Sequence, residues 1–307
     1  VLRTISRIKL KLSIRMDWLM LFGRGHFSWH RRPKKLEDWE RLPILDKNAD
    51  YSRVAIVMQG VVEAKNSFTL QTLRLYKYFY PGAILILSTW SDISPHRLIP
   101  LKNLGVRVVL SDPMESSLRG NFSRQVQTSL KGIDDADSQS ADYVLKVRTD
   151  QCLYAQTSIK HLRSLMKLFP LEPKTTGPKG RILFLCTNTF VDRPTGASDF
   201  MQFGNTEDVK RFWLNALKYD LPEDITPEQT VTASYLLSLG WDRETIFSNE
   251  TWVRAMKEVF GFVDASSLDF FWYKYSMREY FWRRYQGPPL QEMTQAHWIG
   301  IMASEID

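Results

Sequence analysis

Residues Val54 to Val62, VAIVMQGVV, form a nearly unbroken apolar run. An amphipathic helix would interrupt such a run every few residues, and a strand with one wet face would alternate. A strand covered on both faces needs neither, which is the habit of a parallel sheet packed between helices. The pattern returns at Ala83–Thr89 (AILILST), Val106–Leu110 (VRVVL), Tyr143–Val147 (YVLKV) and Arg181–Thr187 (RILFLCT). Segments with helical spacing lie between them. Asn66 or Ser67 is placed to cap a helix carrying Phe68, Leu70, Leu73, Tyr76 and Phe79, and Pro81-Gly82 stops it. Asn121–Lys131 reads as a helix ended by Gly132, Thr157–Leu168 as another, and Thr206-Glu207-Asp208 opens a third. Thr226-Pro227-Glu228-Gln229 is a capping box with proline at the first helical position. Strand, helix and strand repeated in this way predict an α/β fold, a doubly wound and mostly parallel sheet flanked by helices.

Composition is that of a globular chain: 44% of the 307 residues are hydrophobic and 24% charged. No apolar run approaches the roughly 20 residues of a membrane span. Cys152 and Cys186 give neither a disulfide framework nor zinc spacing, and read as reduced core residues of a cytosolic protein.

Charge is unevenly spread. Residues 1–35 hold ten Lys/Arg and one acid, Asp17, for a net of +9, while the whole chain carries +7. The chain thus divides into a basic amphipathic arm and linker (1–50), a main domain (51–250) and an aromatic-rich, helical C-terminal extension (251–307). In the arm, Ile5, Ile8, Leu12 and Leu19 fall near helical spacing, with Lys and Arg between them and Trp18 and Phe22 at one end. An anionic membrane surface suits that pattern. A helix packed on the body also accounts for it, and nucleic acid is the least favoured partner.

In a doubly wound sheet, ligands bind beyond the carboxyl ends of the strands. No G-x-G-x-x-G, no P-loop and no G-x-S-x-G elbow occurs there, which counts against dinucleotide enzymes, P-loop NTPases and the common hydrolases. What does occur is Gln59-Gly60, then Ser88-Thr89-Trp90 with Asp92, then Asp112, then Arg148-Thr149-Asp150. A nucleotide-sugar site needs this kind of inventory: positive charge for the diphosphate, a carboxylate base for the acceptor hydroxyl, and an aromatic face. Asp150 is the sharpest candidate to hold Mg²⁺ or Mn²⁺, and Arg148 shares its face of the strand. The run Asp134-Asp135-Ala136-Asp137 precedes its strand and reads as a solvated loop. The aromatics at 270–285 read as a packed helix.

The strand ends VAIVMQGVV, LILSTW at 85–90 and YVLKVRTD at 143–150 carry a resemblance. So do Ser111-Asp112-Pro113, Asn121-Phe122-Ser123-Arg124-Gln125 with Thr128-Ser129, Ser198-Asp199-Phe200 with Phe203-Gly204, and Pro227-Glu228-Gln229. Together, over roughly 54–240, they resemble the WavE-type lipopolysaccharide-synthesis family of polysaccharide glycosyltransferases with a GT-A-like nucleotide-sugar domain. The resemblance implies donor contacts at Gln59, Gly60, Trp90 and Asp112, a cleft lined by Asn121, Arg124 and Gln125, and Lys146, Arg148 and Asp150 as counterpart of the metal motif. Arg148 stands where that motif has its other acid, so a one-acid metal site and an arginine in place of the metal both stay open. Asp199 is the first choice for catalytic base and Glu228 the second.

The function expected is sugar transfer from a nucleotide sugar to a hydroxyl of a lipopolysaccharide or capsule glycan, on the cytoplasmic face of the inner membrane. Two alternatives are a nucleotidyltransferase using the same cleft and a non-catalytic membrane- or nucleic-acid-binding module.

Overall fold

The computed structural model describes residues 49–113, 121–171, 177–273 and 291–304. The chain divides into two units, Val1–Lys35 and Leu36–Asp307, and every described residue belongs to the second. The basic arm lies outside the described residues. No described helix is long and apolar enough to cross a membrane.

The first apolar run becomes β1 (Val54–Gln59), whose six residues are all buried. It ends where Gly60 turns the chain with φ of +119°, a conformation L side chains rarely adopt. On its two sides lie β2 (Ile84–Trp90) and β4 (Tyr143–Arg148), both parallel to it. Outside β2 lies the edge strand β3 (Arg107–Ser111). Beyond β4 the sheet continues through β7 (Gln202–Asn205), β6 (Ile182–Leu185) and β8 (Phe260–Val263). Only β7 runs against the others, pairing antiparallel with both β4 and β6. The doubly wound, mostly parallel architecture is therefore the one found. A separate two-stranded sheet joins β5 (Gln151–Leu153) to β9 (Phe270–Trp272).

Alternation along β1 splits the core into two layers. Val54, Ile56 and Met58 join α1 (Phe68–Phe79), α2 (Pro95–Asn103) and α4 (Ser158–Leu168) on one face. Ala55 and Val57 join α3 (Asn121–Ser138), α5 (Thr206–Leu214), α6 (Pro227–Ser238), α7 (Asn249–Glu258) and α8 (Gln295–Ala303) on the other. Each wholly buried Val, Leu or Ile in these layers contributes roughly 1.5–3 kcal/mol of hydrophobic stabilisation before entropy is counted. Cys152 and Cys186 are both buried and form no disulfide, as expected.

Several local expectations need correction. Gly132 does not end α3, which runs on to Ser138. A Cβ at Gly132 would stand 2.5 Å from a methyl of Val57 and 2.9 Å from the Cβ of Ser88, so this glycine lets the helix lie close against β1 and β2. The acidic run 134–137 is the end of that helix and not a loop. Asp135 pairs with Arg107 through two bonds of 2.7 and 2.8 Å, and Lys210 bridges Asp134 and Asp137. Ser67 precedes α1 but makes no capping bond from its side chain; its φ is +52°. Phe270–Trp272 are a strand and not a helix. Within the segment expected to form a C-terminal extension, β8 belongs to the main sheet. The capping box of α6 is present with both of its reciprocal bonds.

Candidate active site

Two contiguous cavities, of about 330 and 480 Å³, open at the carboxyl ends of β1, β2 and β4. They share Val61, Val62, Trp90 and Arg124, and so form one cleft. Gln59 and Gly60 contribute from the end of β1, Trp90 from β2, and Arg148, Thr149 and Asp150 from β4. The opposite wall is one face of α3. Asn121, Arg124, Gln125 and Thr128 recur at helical spacing and all line the cavity. The first turn of α3 thus faces the cleft, with the positive end of the helix macrodipole towards it.

Hydrogen bonds fix this wall. The Thr128 hydroxyl donates to Gln59 Oε1 at 2.9 Å, tying α3 to the end of β1. The Thr149 backbone N–H donates to the Gln59 carbonyl at 3.1 Å, tying β4 to it from the other side. Arg148 lies against Asp150 in a bidentate pair, with Nε to Oδ1 at 3.1 Å and Nη2 to Oδ2 at 3.3 Å. Trp272 Nε1 donates to Asp150 Oδ2 at 3.0 Å, and the Arg148 guanidinium lies 5.6 Å from the centre of the Trp272 ring.

This arrangement decides how well Asp150 suits a divalent cation. Both of its carboxylate oxygens accept hydrogen bonds, from a guanidinium and an indole, and the nearest charged neighbour on its strand is a cation. Among the described residues no three His, Cys, Asp or Glu side chains gather closely enough to hold a metal ion. Asp150 thus offers one carboxylate, already engaged by Arg148 and Trp272, where a divalent cation would need further oxygen donors from phosphate and water.

Two expected donor contacts sit elsewhere. Asp112 is exposed at the rim, where its Oδ1 accepts from Ser91 Oγ at 3.0 Å; its neighbour Pro113, not Asp112, lines the cleft. Lys146 is wholly buried beneath the cleft floor. Its Nζ donates to the Asp199 carbonyl at 2.7 Å and lies 4.5 Å from the centre of the Trp213 ring. Burial pushes its ammonium down to about 7, against the opposing influence of the Asp199 carboxylate.

Asp199 itself is nine-tenths buried behind α3. Gln125, a cleft residue, donates to its Oδ2 at 2.6 Å, while Oδ1 is buried without a hydrogen-bond partner. Glu228, in the first turn of α6, lies in the same region and is partly buried. Its Oε1 accepts from Asn188 Nδ2 at 2.6 Å. Burial raises its carboxyl above the ordinary range, the negative charge of Asp199 raises it further, and Arg193 opposes both. Neither acid lines the two cavities, but Gln125 couples Asp199 to them directly.

Sequence reasoning missed the frame around these acids. Asn188 adopts φ of +65°, its N–H donates to Glu292 Oε1 at 2.9 Å, and its carbonyl accepts from Arg193 Nη2 at 2.6 Å. Trp272 was hidden in an aromatic-rich stretch whose period gives no strand signal, and nothing in the sequence around Glu292 marks it.

Comparison with known proteins follows the same lines. A glycosyltransferase involved in the glycosylation of the major capsid of PBCV-1 is 14% identical over 69% of this chain and 81% of its own, with a TM-score of 0.35. A cytidylyltransferase from Leptospira borgpetersenii is 12% identical over 65% of this chain and 73% of its own, also at 0.35. A mannose-1-phosphate geranyltransferase from Thermus thermophilus is 9% identical over 58% and 67%, at 0.32. None of these likenesses is close enough to bear on activity. The search of curated proteins found no match. The family model described as WavE lipopolysaccharide synthesis matches residues 54–271, from the start of β1 to the middle of β9, and the chain belongs to that family.

Proposed function

We propose that this protein is a glycosyltransferase of lipopolysaccharide synthesis, moving a sugar from a nucleotide-sugar donor to a hydroxyl of a lipopolysaccharide or capsule glycan. The observation that carries the reading is the continuous strand-end cleft, with Gln59, Trp90, Arg124 and Arg148 on its walls and the Asp199 carboxylate tethered to it through Gln125. The acceptor oxygen attacks the anomeric carbon, the bond from that carbon to the phosphate oxygen breaks, and the diphosphate leaves with the bonding pair. Asp199 takes the acceptor proton. Arg124 and Arg148 offset the charge that develops on the leaving phosphate, and in this reading they do so without a divalent cation. Asp150 holds the Arg148 fork in place, and Glu228 sets the field around Asp199. The arm at 1–35 is assigned to an anionic membrane surface at the cytoplasmic face, supported by its charge pattern alone.

A thermal-shift panel of UDP, GDP, CMP and dTDP, with chelator or with Mn²⁺, tests the donor site, because a ligand bound to the folded state raises its melting temperature. At least one nucleotide should stabilise the protein in chelator, and Arg148→Ala should abolish that shift. Stabilisation by none of them removes the donor reading. Stabilisation only with Mn²⁺ removes the cation-free version. Release of pyrophosphate, in place of nucleoside diphosphate, on turnover would make the enzyme a nucleotidyltransferase.

A further inference from the structure

A third cavity, of about 620 Å³, opens at the other end of the sheet, beside the start of β4 at Tyr143, Tyr51 just before β1, and Asn205 at the end of the reversed β7. Five cationic side chains line it, Lys160, Arg163, Lys167, Lys179 and Arg181, and among the described residues no acidic side chain does. They are not equivalent. Arg181 is committed to structure, donating to the carbonyls of Phe169, Met256 and Phe260. Lys179 is paired with Glu207.

The other three come from α4 at positions i, i+3 and i+7, which puts them on one face of that helix. Ile159, Leu162 and Leu165 occupy its buried face. Arg163 lies 5.1 Å from the centre of the Tyr143 ring and its Nη1 donates to the Asp50 carbonyl at 3.3 Å, while its Nε is buried without a hydrogen-bond partner.

The cations have an apolar companion. Leu168, the last residue of α4, is 71% exposed, and the nearby Met166, Pro170 and Leu171 line the groove. A free phosphate or a sugar phosphate has no use for an exposed leucine. A bilayer surface has: acidic headgroups meet the cations while the leucine enters the boundary of the acyl chains.

We propose that this groove, with the basic face of α4 and Leu168, docks on an anionic bilayer. The surface is distinct from the strand-end cleft, and the proposal does not rest on the transfer reaction.

Co-sedimentation of the full chain with vesicles tests it, using phosphatidylcholine alone or mixed with phosphatidylglycerol. Wild type should bind the anionic vesicles, and added salt should weaken that binding. Lys160→Glu with Lys167→Glu replaces two exposed cations. Each cation at such a surface is worth about fivefold in affinity, so this variant should bind at least about 25-fold more weakly. Its nucleotide-induced shift should stay as in wild type, which separates this outcome from misfolding and from any failure of the donor reading. Leu168→Ser should also weaken vesicle binding without changing the response to salt.

Equal vesicle binding by the double variant and wild type overturns the proposal, and so does absence of binding by wild type. Stabilisation by inorganic phosphate or an oligonucleotide, lost in the double variant but unaffected by Leu168→Ser, would make the groove a soluble-anion site and overturn it too.

Discussion

Along the wall built by β1, β2 and β4, polar groups stand at strand ends and face an open cavity. Behind α3, around Asn188, Asp199 and Glu228, they are buried and tied to one another. The first region is suited to a large anionic ligand that arrives and leaves. The second holds the Glu228 carboxyl at raised proton affinity, because burial and the neighbouring Asp199 both disfavour its charged form. Gln125 and Lys146 join the two, one through the Asp199 carboxylate and the other through its carbonyl. In the proposed reading the cleft binds the donor and Asp199 takes the acceptor proton, so substitutions should separate the two in measurement.

Asp199→Asn should have the largest effect. It should lower kcat by about 10²–10⁴-fold, the usual weight of a general base, and leave the nucleotide-induced thermal shift intact. Parallel loss of both would break the division between the two regions.

Lys146 gives a smaller and pH-dependent effect. Its ammonium has an ordinary value of 10.5 and is pushed down to about 7 in the folded protein. Above about pH 7 the folded state releases a proton that the unfolded chain still holds. Stability from this group therefore rises with pH between about 7 and 10, by at most about 1.4 kcal/mol per pH unit. Urea unfolding at about pH 7 and about pH 9 should show that rise in wild type and lose it in Lys146→Met. An equal slope in the variant would place the titration elsewhere.

Thr226→Ala should have the smallest effect. It removes the cap of α6, the helix that presents Glu228, and should cost about 1 kcal/mol of stability in thermal unfolding without changing nucleotide binding.

The first region was also the more legible in sequence. A residue that follows a continuous apolar run must emerge at the sheet edge, which located Gln59, Trp90, Arg148 and Asp150 without any coordinates. The family resemblance did the same for Asn121, Arg124 and Gln125. The same logic misplaced Asp112, because the edge strand β3 ends at the rim, where that carboxylate turns to Ser91. Lys146 was misread for a different reason. The family resemblance grouped it with Arg148 and Asp150, but a shared motif does not say which of its side chains reaches the cavity and which is buried.

Both regions also depend on contacts that local sequence does not carry. Trp272 reaches Asp150 across 122 residues, and Glu292 reaches Asn188 across 104. Strands β7, β8 and β9 have only three or four residues each, too few for a period to register, and Pro95 and Pro100 masked α2. Gly132 carries two contrary signals. Alone it looks like a helix stop, and only its closeness to Val57 and Ser88 shows that it serves helix-to-sheet contact.

The six residues of β4 begin at Tyr143, beside the basic groove, and finish at Arg148, in the cleft. At about 3.3 Å per residue, that strand is a spacer of roughly 17 Å. A molecule resting on lipid by its groove would hold its cleft at most about that far above the headgroups, the full distance being reached only with the strand upright.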